Sequence, residues 1–389
     1  MGSASTEGSP LDDARRIDWA ARACARAADF RFLGACARVA ADEPEVLDLF
    51  AAMYAHFHAA DAASPLLFQV VTRPPEGPPY VLYAGRVQPL MESALTVSHA
   101  YMYVLNQVLA AVSEVYMLHA GTVAGPRGAM LFLGGPGFGK TTLVLALLAR
   151  GHALYSDEFA CLDRATGLVR PFPRALGLRE TAFALFPALA GRPMARVKSL
   201  GRGVKFLLDP LEVPGARIAK PAPISDVFVL SSGEEDEEAD ARIDVAFRSG
   251  RDEWHPRLAA LPGVALESEA GMEGYRLLRY RVPAAATGAF TDLCAEADHA
   301  ILYHERVYGK RPDFARAPQL APVRKSDVAT LLLRGLRNRE GCFGSHEGFR
   351  RQAARAYMDL VRRIKPARCH RLVVGDLAAT VGLVEGGGD

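Results

Sequence analysis

The sequence predicts an α/β protein that contains a phosphate-binding loop and, before it, a small N-terminal α/β lobe. An apolar strand-like run, AMLFL, leads into the pattern GGPGFGKT, and an apolar helical run follows it. A strand, a glycine-rich loop and a helix in this order are typical of a nucleotide-binding sheet. The chain has 389 residues, half of them apolar, which is enough for two or three buried cores.

The N-terminal region is predicted to divide into a tail and a lobe. Residues 1–16 are predicted to be a flexible tail, and they lack the apolar segment and small-residue cleavage site of a secretory signal. Residues 17–95 are predicted to form the α/β lobe. Here a helical pattern, EPEVLDLFAAMYAHF, precedes two strand-like runs, LLFQVVTR and YVLYAG, which Pro and Gly separate.

Residues 96–389 are predicted to form one domain that carries the loop. Its first run, ALTVSHAYMYVLNQVLAAVSEVYML, is interrupted by His99, Asn106 and Glu114, so it is predicted to be a buried or half-buried helix rather than a membrane span. Residues 232–240, SGEEDEEAD, contain six acids in nine residues and are predicted to be a solvated loop. Residues 325–389 are predicted to be a C-terminal helical part, with two helices, a strand at RLVVGD and a closing helix.

The charge and the cysteines exclude several classes of protein. With 46 basic and 44 acidic side chains, the net charge predicts neither a nucleic-acid nor a membrane partner. The six cysteines form no C-x-x-C pair, which argues against a zinc knuckle or a disulfide framework and predicts free thiols in a reducing cytoplasm. Residues 334–371 are an exception in charge, with eleven Lys or Arg against three acids. A solvated helical face and a dock for an acidic partner or phosphate both explain that excess.

Residues 134–141 match the pattern G-x-x-x-x-G-K-[ST] in full. The glycines allow backbone N–H groups to face inward around an anion, and the following helix adds the positive end of its dipole. Lys140 is predicted to reach the terminal phosphates, and the Thr141 hydroxyl is predicted to ligate Mg²⁺. The predicted nucleotide-binding residues are Gly134, Gly135, Pro136, Gly137, Phe138, Gly139, Lys140, Thr141 and Thr142.

Two adjacent acids, Asp157 and Glu158, follow the next predicted strand. Neighbouring strand residues point to opposite faces, so both acids can serve one site only if the strand ends there and the chain turns. In one interpretation a single acid holds the Mg²⁺ shell, as in any ATPase or GTPase. In the other, one carboxylate lies on the metal side and the second accepts the proton of an attacking hydroxyl.

His119 stands 21 residues before Lys140, ahead of a predicted hairpin, VAGPRGAMLF. A histidine beside an apolar run is commonly a structural residue. Its spacing from the loop suggests a further role. The full pattern consists of His119-Ala120, a hairpin, the loop, a helix, Arg150-Gly151-His152 and the acid pair.

This pattern resembles the HPr kinase/phosphorylase family, together with the HPr-kinase-like kinases of peptide-modification pathways. The resemblance covers residues 116–180 and continues weakly in the closing RLVVGDLAATVGLVE. It implies a phosphoenolpyruvate-carboxykinase-like P-loop kinase core with a mixed sheet, and the short hairpin after His119 favours this core over an all-parallel one.

The resemblance also implies roles for individual residues. Asp157 would be the general base, Glu158 an acid on the Mg²⁺ side or a positioning acid, and His119 a polar support near the transferring phosphate. Lys140 and Thr141 would bind phosphate and metal, and Glu180 would be a further metal-side acid. Arg174 and Arg179 are candidates for stabilising transition-state charge.

Three departures limit what the resemblance implies. The acid pair is Asp-Glu where the family has Asp-Asp, so the second carboxylate extends one methylene further. The downstream loop that the founding family uses for reverse phosphorolysis is not recognisable, so that activity is not implied. The N-terminal lobe does not resemble that of HPr kinase, which argues against HPr as the substrate.

The sequence therefore predicts an ATP-dependent, Mg²⁺-assisted kinase that acts on a hydroxyl, with Ser or Thr of a protein or peptide as the leading acceptor class. A small-molecule kinase shares every residue named above. A P-loop ATPase or nucleotide switch, in which Asp157 serves only Mg²⁺, is the alternative from a different class. The sequence leaves open the acceptor, the choice between ATP and GTP, and whether the protein forms a homo-oligomer.

Overall fold

The computed structural model describes residues 10–59, 65–199, 203–233, 240–251, 253–272, 274–297, 300–307 and 313–386. These residues form a mixed α/β structure with sheets of five, ten, three and four strands. The predicted α/β class is therefore confirmed.

The N-terminal part is a five-stranded sheet in the order β1-β2-β3-β4-β5, with helices packed on it. Strands β2 and β3 run parallel, and the other neighbours run antiparallel. Its elements are α1 (Pro10–Ala23), β1 (Arg26–Phe32), β2 (Ala35–Ala41), α2 (Pro44–Met53), β3 (Leu66–Val71), β4 (Tyr80–Tyr83) and β5 (Arg86–Pro89).

The flexible tail predicted for residues 1–16 is wrong from residue 10, where helix α1 begins. Ala20 of this helix is fully buried, and the Tyr80 hydroxyl donates a hydrogen bond of 2.7 Å to the Arg16 carbonyl oxygen. The guanidinium of Arg16 also lies over the Tyr80 ring. Contacts with residues distant in sequence hold this segment, and local composition does not reveal them. Residues 1–9 lie outside the described part of the chain.

Helix α3 (Thr96–Ala111) corresponds to the predicted apolar helix, and the end of the same run forms the strand β6 (Val115–His119). Buried side chains of α3 share one core with Phe30 and Phe50 of the lobe and with Met117 and Phe159 beyond it. The main core of the lobe predicted at 17–95 is therefore shared with the domain predicted at 96–389.

The central part of the chain supplies most of the ten-stranded sheet and a three-stranded sheet. Its elements after β6 are β7 (Gly121–Gly125), β8 (Gly128–Leu133), α4 (Lys140–Ala149), β9 (Ala153–Ser156), β10 (Phe159–Asp163), β11 (Leu168–Arg170), β12 (Leu176–Leu178), β13 (Ala195–Ser199), β14 (Gly203–Leu208), β15 (Arg217–Ile218) and β16 (Ala222–Ser231). The hairpin predicted after His119 is the antiparallel pair β7 and β8.

The remaining elements follow in two groups. The first comprises β17 (Asp240–Arg248), α5 (Trp254–Ala259), β18 (Ala265–Met272), β19 (Tyr275–Pro283), α6 (Thr287–Glu296) and β20 (Ile301–Val307). The second comprises β21 (Gln319–Pro322), α7 (Lys325–Arg334), α8 (Arg339–Phe343), α9 (His346–Ile364), β22 (Arg368–Val373) and α10 (Leu377–Gly386). The two C-terminal helices predicted from sequence correspond to α7 and α9, and the predicted last strand and closing helix correspond to β22 and α10.

The large sheet has the order β15-β9-β7-β8-β16-β11-β10-β6, with β22 beside β16 and β21 beside β22. Strand β16 runs parallel to β8 and β22, whereas β6, β7, β10 and β11 pair antiparallel with their neighbours. The sheet is therefore mixed. Helix α4 packs on it close to β7, where a Cβ added at Gly121 would lie 2.9 Å from a Val144 methyl.

Strands β18-β19-β17-β20 form a separate antiparallel sheet that the sequence analysis did not anticipate within residues 96–389. It has its own core, in which Val245, Leu278 and Tyr280 pack against Phe290 of α6. The outer face carries ion pairs such as Arg279 Nε to Asp244 Oδ1 at 2.7 Å. Charged residues therefore alternate with apolar ones along these strands.

The acidic run at 232–240 joins the end of β16 to the start of β17, and residues 234–239 lie outside the described residues. Replacing 234–239 with a Gly-Ser segment of equal length should leave the melting temperature and nucleotide affinity nearly unchanged. These six residues offer no large apolar side chain for docking, and solvated loops tolerate substitution. Thermal unfolding and nucleotide titration check this, and a large loss in either would show that the run has a structural or regulatory role.

Asn338 connects the segment between α7 and α8 to the edge strand β6. The side chain is buried; its Oδ1 accepts from Met117 N–H at 2.9 Å, and its Nδ2 donates to the Val112 and Val115 carbonyls at 2.8 Å each. Asn338→Ala would remove a hydrogen bond from each of these three backbone groups, and the Val115 carbonyl would keep the Cys342 thiol as a partner at 3.3 Å, so we expect a loss of about 2–4 kcal/mol in unfolding free energy. Urea denaturation measures it, with the exposed Asn106→Ala as the matched control. A loss below about 1 kcal/mol would mean that the backbone groups find other partners.

None of the helices in the described ranges combines the length and the apolar composition needed to span a bilayer.

Candidate active site

The predicted phosphate loop lies between β8 and α4. Gly137 and Gly139 both have φ of +83°, a left-handed conformation that glycine adopts without strain, and Gly139 directly precedes α4. Phe138, between them, is buried in the core beneath the helix. A Cβ added at Gly134 would lie 3.1 Å from the Leu230 Cβ, so the loop backbone packs closely on β16. The loop therefore has the curled shape that its glycines predict.

Lys140 is the first residue of α4, and its side chain is held over the loop. Its Nζ donates hydrogen bonds to the carbonyl oxygens of Gly134 at 2.7 Å and Gly135 at 3.1 Å. The residue is only 9% exposed. A buried ammonium group beside loop backbone suits binding of an anion, because the low local dielectric strengthens the attraction.

Asp157 and Glu158 form the turn between β9 and β10. The strand therefore ends at the acid pair and the chain turns, which is what allows both acids to serve one site. The Ser156 hydroxyl accepts hydrogen bonds of 3.2 Å from the N–H groups of Glu158 and Phe159, which fixes this turn. Phe159 is paired with His119 across β10 and β6. The two acids therefore lie between the loop helix α4 and the end of β6.

Asp157 faces the phosphate loop. The Thr141 hydroxyl donates to its Oδ2 at 3.3 Å. Its Oδ1 is buried and has no hydrogen-bond partner among the described residues; the Nε of Arg174 lies 3.9 Å away. Burial raises the pKa of the Asp157 carboxyl, the negative charge of Glu158 adds to that effect, and the positive charge of Arg174 opposes it.

Glu158 faces His119 instead. Its Oε1 lies 3.4 Å from the His119 Nδ1, which is not aligned for a hydrogen bond, and its Oε2 lies 3.8 Å from the Arg174 Nη1. Burial alone would raise the pKa of Glu158, but the His119 ring and the Arg174 charge outweigh it and hold the pKa well below its ordinary value. Burial lowers the pKa of His119, and Glu158 opposes this shift.

Arg174 is the cation common to both acids. Its side chain is 7% exposed, so it is not the surface arginine that a residue of this type commonly is. Burial would lower its pKa, but the nearby Tyr101 and the charges of Glu158 and Asp157 raise the pKa above its ordinary value. The site thus contains a permanent positive charge between two carboxylates whose pKa values shift in opposite directions.

Other predicted residues are less directly connected to this centre. Glu180 is exposed and begins a 3₁₀ turn over Glu180–Ala184, directly after Arg179. No hydrogen bond or ion pair recorded in the described ranges joins Glu180 to another predicted site residue. Thr142 follows Thr141 in the first turn of α4 and is partly buried. In the part of the chain that the structure covers, no group of three or more His, Cys, Asp or Glu side chains is arranged to hold a metal ion.

The Arg150-Gly151-His152 motif has a structural contact. Arg150 Nη2 lies 2.7 Å from one oxygen of Glu385, and His152 Nε2 lies 3.1 Å from the other. Glu385 belongs to α10, so the motif ties the end of α4 to the C-terminal helix.

Three residues whose charges or side chains act on this centre were not predicted from the sequence to belong to it. Lys205 of β14 lowers the pKa of both Asp157 and Glu158, and Tyr101 of α3 acts on Arg174. The charge of Glu158 also acts on Arg337, in the segment between α7 and α8. No local motif marks these residues; only the excess of basic residues in 334–371 points to Arg337.

No protein-family model matches this chain, and a search of curated proteins gives no match.

Proposed function

We propose that this protein is an ATP-dependent kinase of the HPr-kinase-like type, with a phosphoenolpyruvate-carboxykinase-like core, that phosphorylates a Ser or Thr hydroxyl of a protein or peptide. One observation carries the proposal: two adjacent carboxylates lie beside a phosphate loop, Asp157 against the Thr141 hydroxyl and Glu158 against His119, with the buried Arg174 at 3.9 and 3.8 Å from them. Such a pair suits a division of work between a proton acceptor and an acid that stays ionised.

The residues around the loop fit a magnesium nucleotide. Inward-facing N–H groups of the loop and the Lys140 ammonium would hold the phosphates. The Thr141 hydroxyl is an oxygen ligand of the kind Mg²⁺ prefers, and it donates to the Oδ2 of Asp157 at 3.3 Å, so the metal side of the site would adjoin the acid pair. When bound, the nucleotide supplies the phosphoryl group and Mg²⁺ neutralises the charge on its oxygens.

Asp157 is the better proton acceptor of the two acids. A raised pKa increases its affinity for the proton of an attacking hydroxyl, and its buried Oδ1 has no hydrogen-bond partner among the described residues. Glu158 stays ionised beside His119 and Arg174, and its negative charge raises the proton affinity of Asp157 further. Glu158 is thus assigned a positioning and electrostatic role.

Arg174 would stabilise negative charge as the phosphoryl group transfers. It is buried, and it lies 3.9 Å from the Oδ1 of Asp157 and 3.8 Å from the Oε2 of Glu158. His119 lies on the other side of the Glu158 carboxylate, with its Nδ1 3.4 Å from Oε1.

The second candidate is a P-loop ATPase or nucleotide switch. The contact between Thr141 and Asp157 favours it, since the same pair would also serve a plain Mg²⁺ ligand. In that case no acceptor hydroxyl is needed, and water receives the phosphoryl group.

The test is to incubate the purified protein with Mg²⁺ and γ-labelled ATP, together with the proteins encoded beside its gene. We expect a labelled Ser or Thr in one of them, located by mass spectrometry. Label on a small metabolite would indicate a small-molecule kinase. Release of labelled inorganic phosphate without any labelled acceptor would contradict the kinase proposal.

A further inference from the structure

The segment between α7 and α8 runs beside β6 and brings Arg337 close to the candidate active site. His119 N–H donates to the Gly335 carbonyl at 2.8 Å, and Arg337 N–H donates to the Met117 carbonyl at 2.9 Å. Between these bonds, Leu336 forms an isolated bridge with Leu118. Arg337 is therefore fixed beside Met117 in the middle of β6, two residues from His119, and the charge of Glu158 reaches it there.

A cavity of about 250 Å³ opens beside this segment, lined by Asn106 and Ala110 of α3 and by residues Arg337, Asn338, Arg339 and Glu340. No hydrogen bond or salt bridge recorded for the described residues uses the Arg337 guanidinium. The Arg339 guanidinium lies 4.6 Å from the centre of the Phe349 ring, and its Nη2 donates to the Arg334 carbonyl at 3.1 Å. The Nε of Arg339 is buried and unpaired.

The lining of this cavity carries two guanidinium groups, those of Arg337 and Arg339, and one carboxylate, that of Glu340. Arg337 is exposed and Arg339 is half-buried, and the charges of both help to lower the pKa of His304 on the edge strand β20. The opposing acids are Glu340 in the lining, Glu158 toward the active site, and Asp292 of α6 near Arg339. Guanidinium groups that crowd together in a partly desolvated cleft favour the binding of an anion.

We propose that Arg337 and Arg339 bind an acidic side chain of the acceptor peptide, so that the kinase selects Ser or Thr residues with Asp or Glu nearby. This inference rests on the proposed function. The cavity is lined by α3 and by residues 337–340, and none of these lining residues belongs to the phosphate loop, which suits a group of the acceptor rather than of the nucleotide. Arg337 and Arg339 are then specificity-determining residues.

The test uses a peptide library in which a fixed Ser is flanked by randomised positions. The library is passed over immobilised protein that is loaded with Mg²⁺ and a non-hydrolysable ATP analogue, and the retained peptides are sequenced by mass spectrometry. We expect enrichment of Asp and Glu near the Ser. Arg337→Gln should reduce retention of the acidic peptides about tenfold, whereas Arg334→Gln, which removes an exposed charge in the same region, should not.

Nucleotide affinity of each variant is measured separately, which distinguishes failure of this inference from failure of the proposed function. Wild-type protein that binds the analogue but shows no preference for acidic peptides would overturn the inference alone. Equal losses of acidic-peptide retention in Arg337→Gln and Arg334→Gln would show that the retention depends on general positive charge, and would overturn the inference. Weaker nucleotide binding by Arg337→Gln would assign this arginine to the nucleotide and also overturn the inference. Wild-type protein that binds no nucleotide would contradict the proposed function itself.

Discussion

Lys140→Ala should abolish phosphoryl transfer, with a loss of turnover of about 10³-fold or more, because the loop loses its one fixed ammonium group. The side chain is 9% exposed and lies directly over the loop carbonyls of Gly134 and Gly135. At such a site a cation stabilises phosphate far more than it would in water. The measurements are nucleotide titration and turnover with labelled ATP.

The control for this variant is Lys198→Ala, which removes an exposed lysine from β13. It should bind and use nucleotide like the wild type. Thermal unfolding of Lys140→Ala shows whether the variant is folded. A folded Lys140→Ala protein with wild-type turnover would refute the assignment of residues 134–141 as a phosphate loop.

Asp157→Asn should lower the rate of acceptor phosphorylation by about 10²- to 10⁴-fold, or about 3–5 kcal/mol, while Mg²⁺-ATP affinity changes little. The amide has almost the shape of the carboxylate and can keep the contact with the Thr141 hydroxyl, but it cannot accept a proton. Burial of Asp157 strengthens the expectation, because the raised pKa is what makes this carboxylate the better base. Both quantities are measured on wild type and variant.

If Asp157 is instead a plain Mg²⁺ ligand, Asp157→Asn should weaken Mg²⁺-ATP binding as much as it slows turnover, since the lost charge then acts on the ground state as well. Equal losses would support the switch or ATPase, and unchanged phosphorylation would remove Asp157 from the mechanism. Asp48→Asn, on the exposed face of α2, is the matched control and should behave like the wild type.

The elements around the loop were predictable from short stretches of sequence. The pattern GGPGFGKT, the apolar run before it and the helix after it correspond to β8, the loop and α4. The acid pair follows the next predicted strand, and the turn that it required is present. The predictions of a flexible tail at 1–16 and of a single domain at 96–389 were less accurate. Helix α1 contacts Tyr80, which is distant in sequence, and strands β17–β20 have a core of their own.

By itself, the sequence determined the phosphate loop, the acid pair and the secondary structure that positions them, because glycine conformation and hydrophobic periodicity act over a few neighbouring residues. Only the tertiary structure decided that Arg174 lies between the two acids, that their pKa values move apart, and that Arg337 lies beside Met117 in the middle of β6. Electrostatic effects depend on burial and on distances through space, and strand pairing brings together residues as far apart in the chain as Met117 and Arg337.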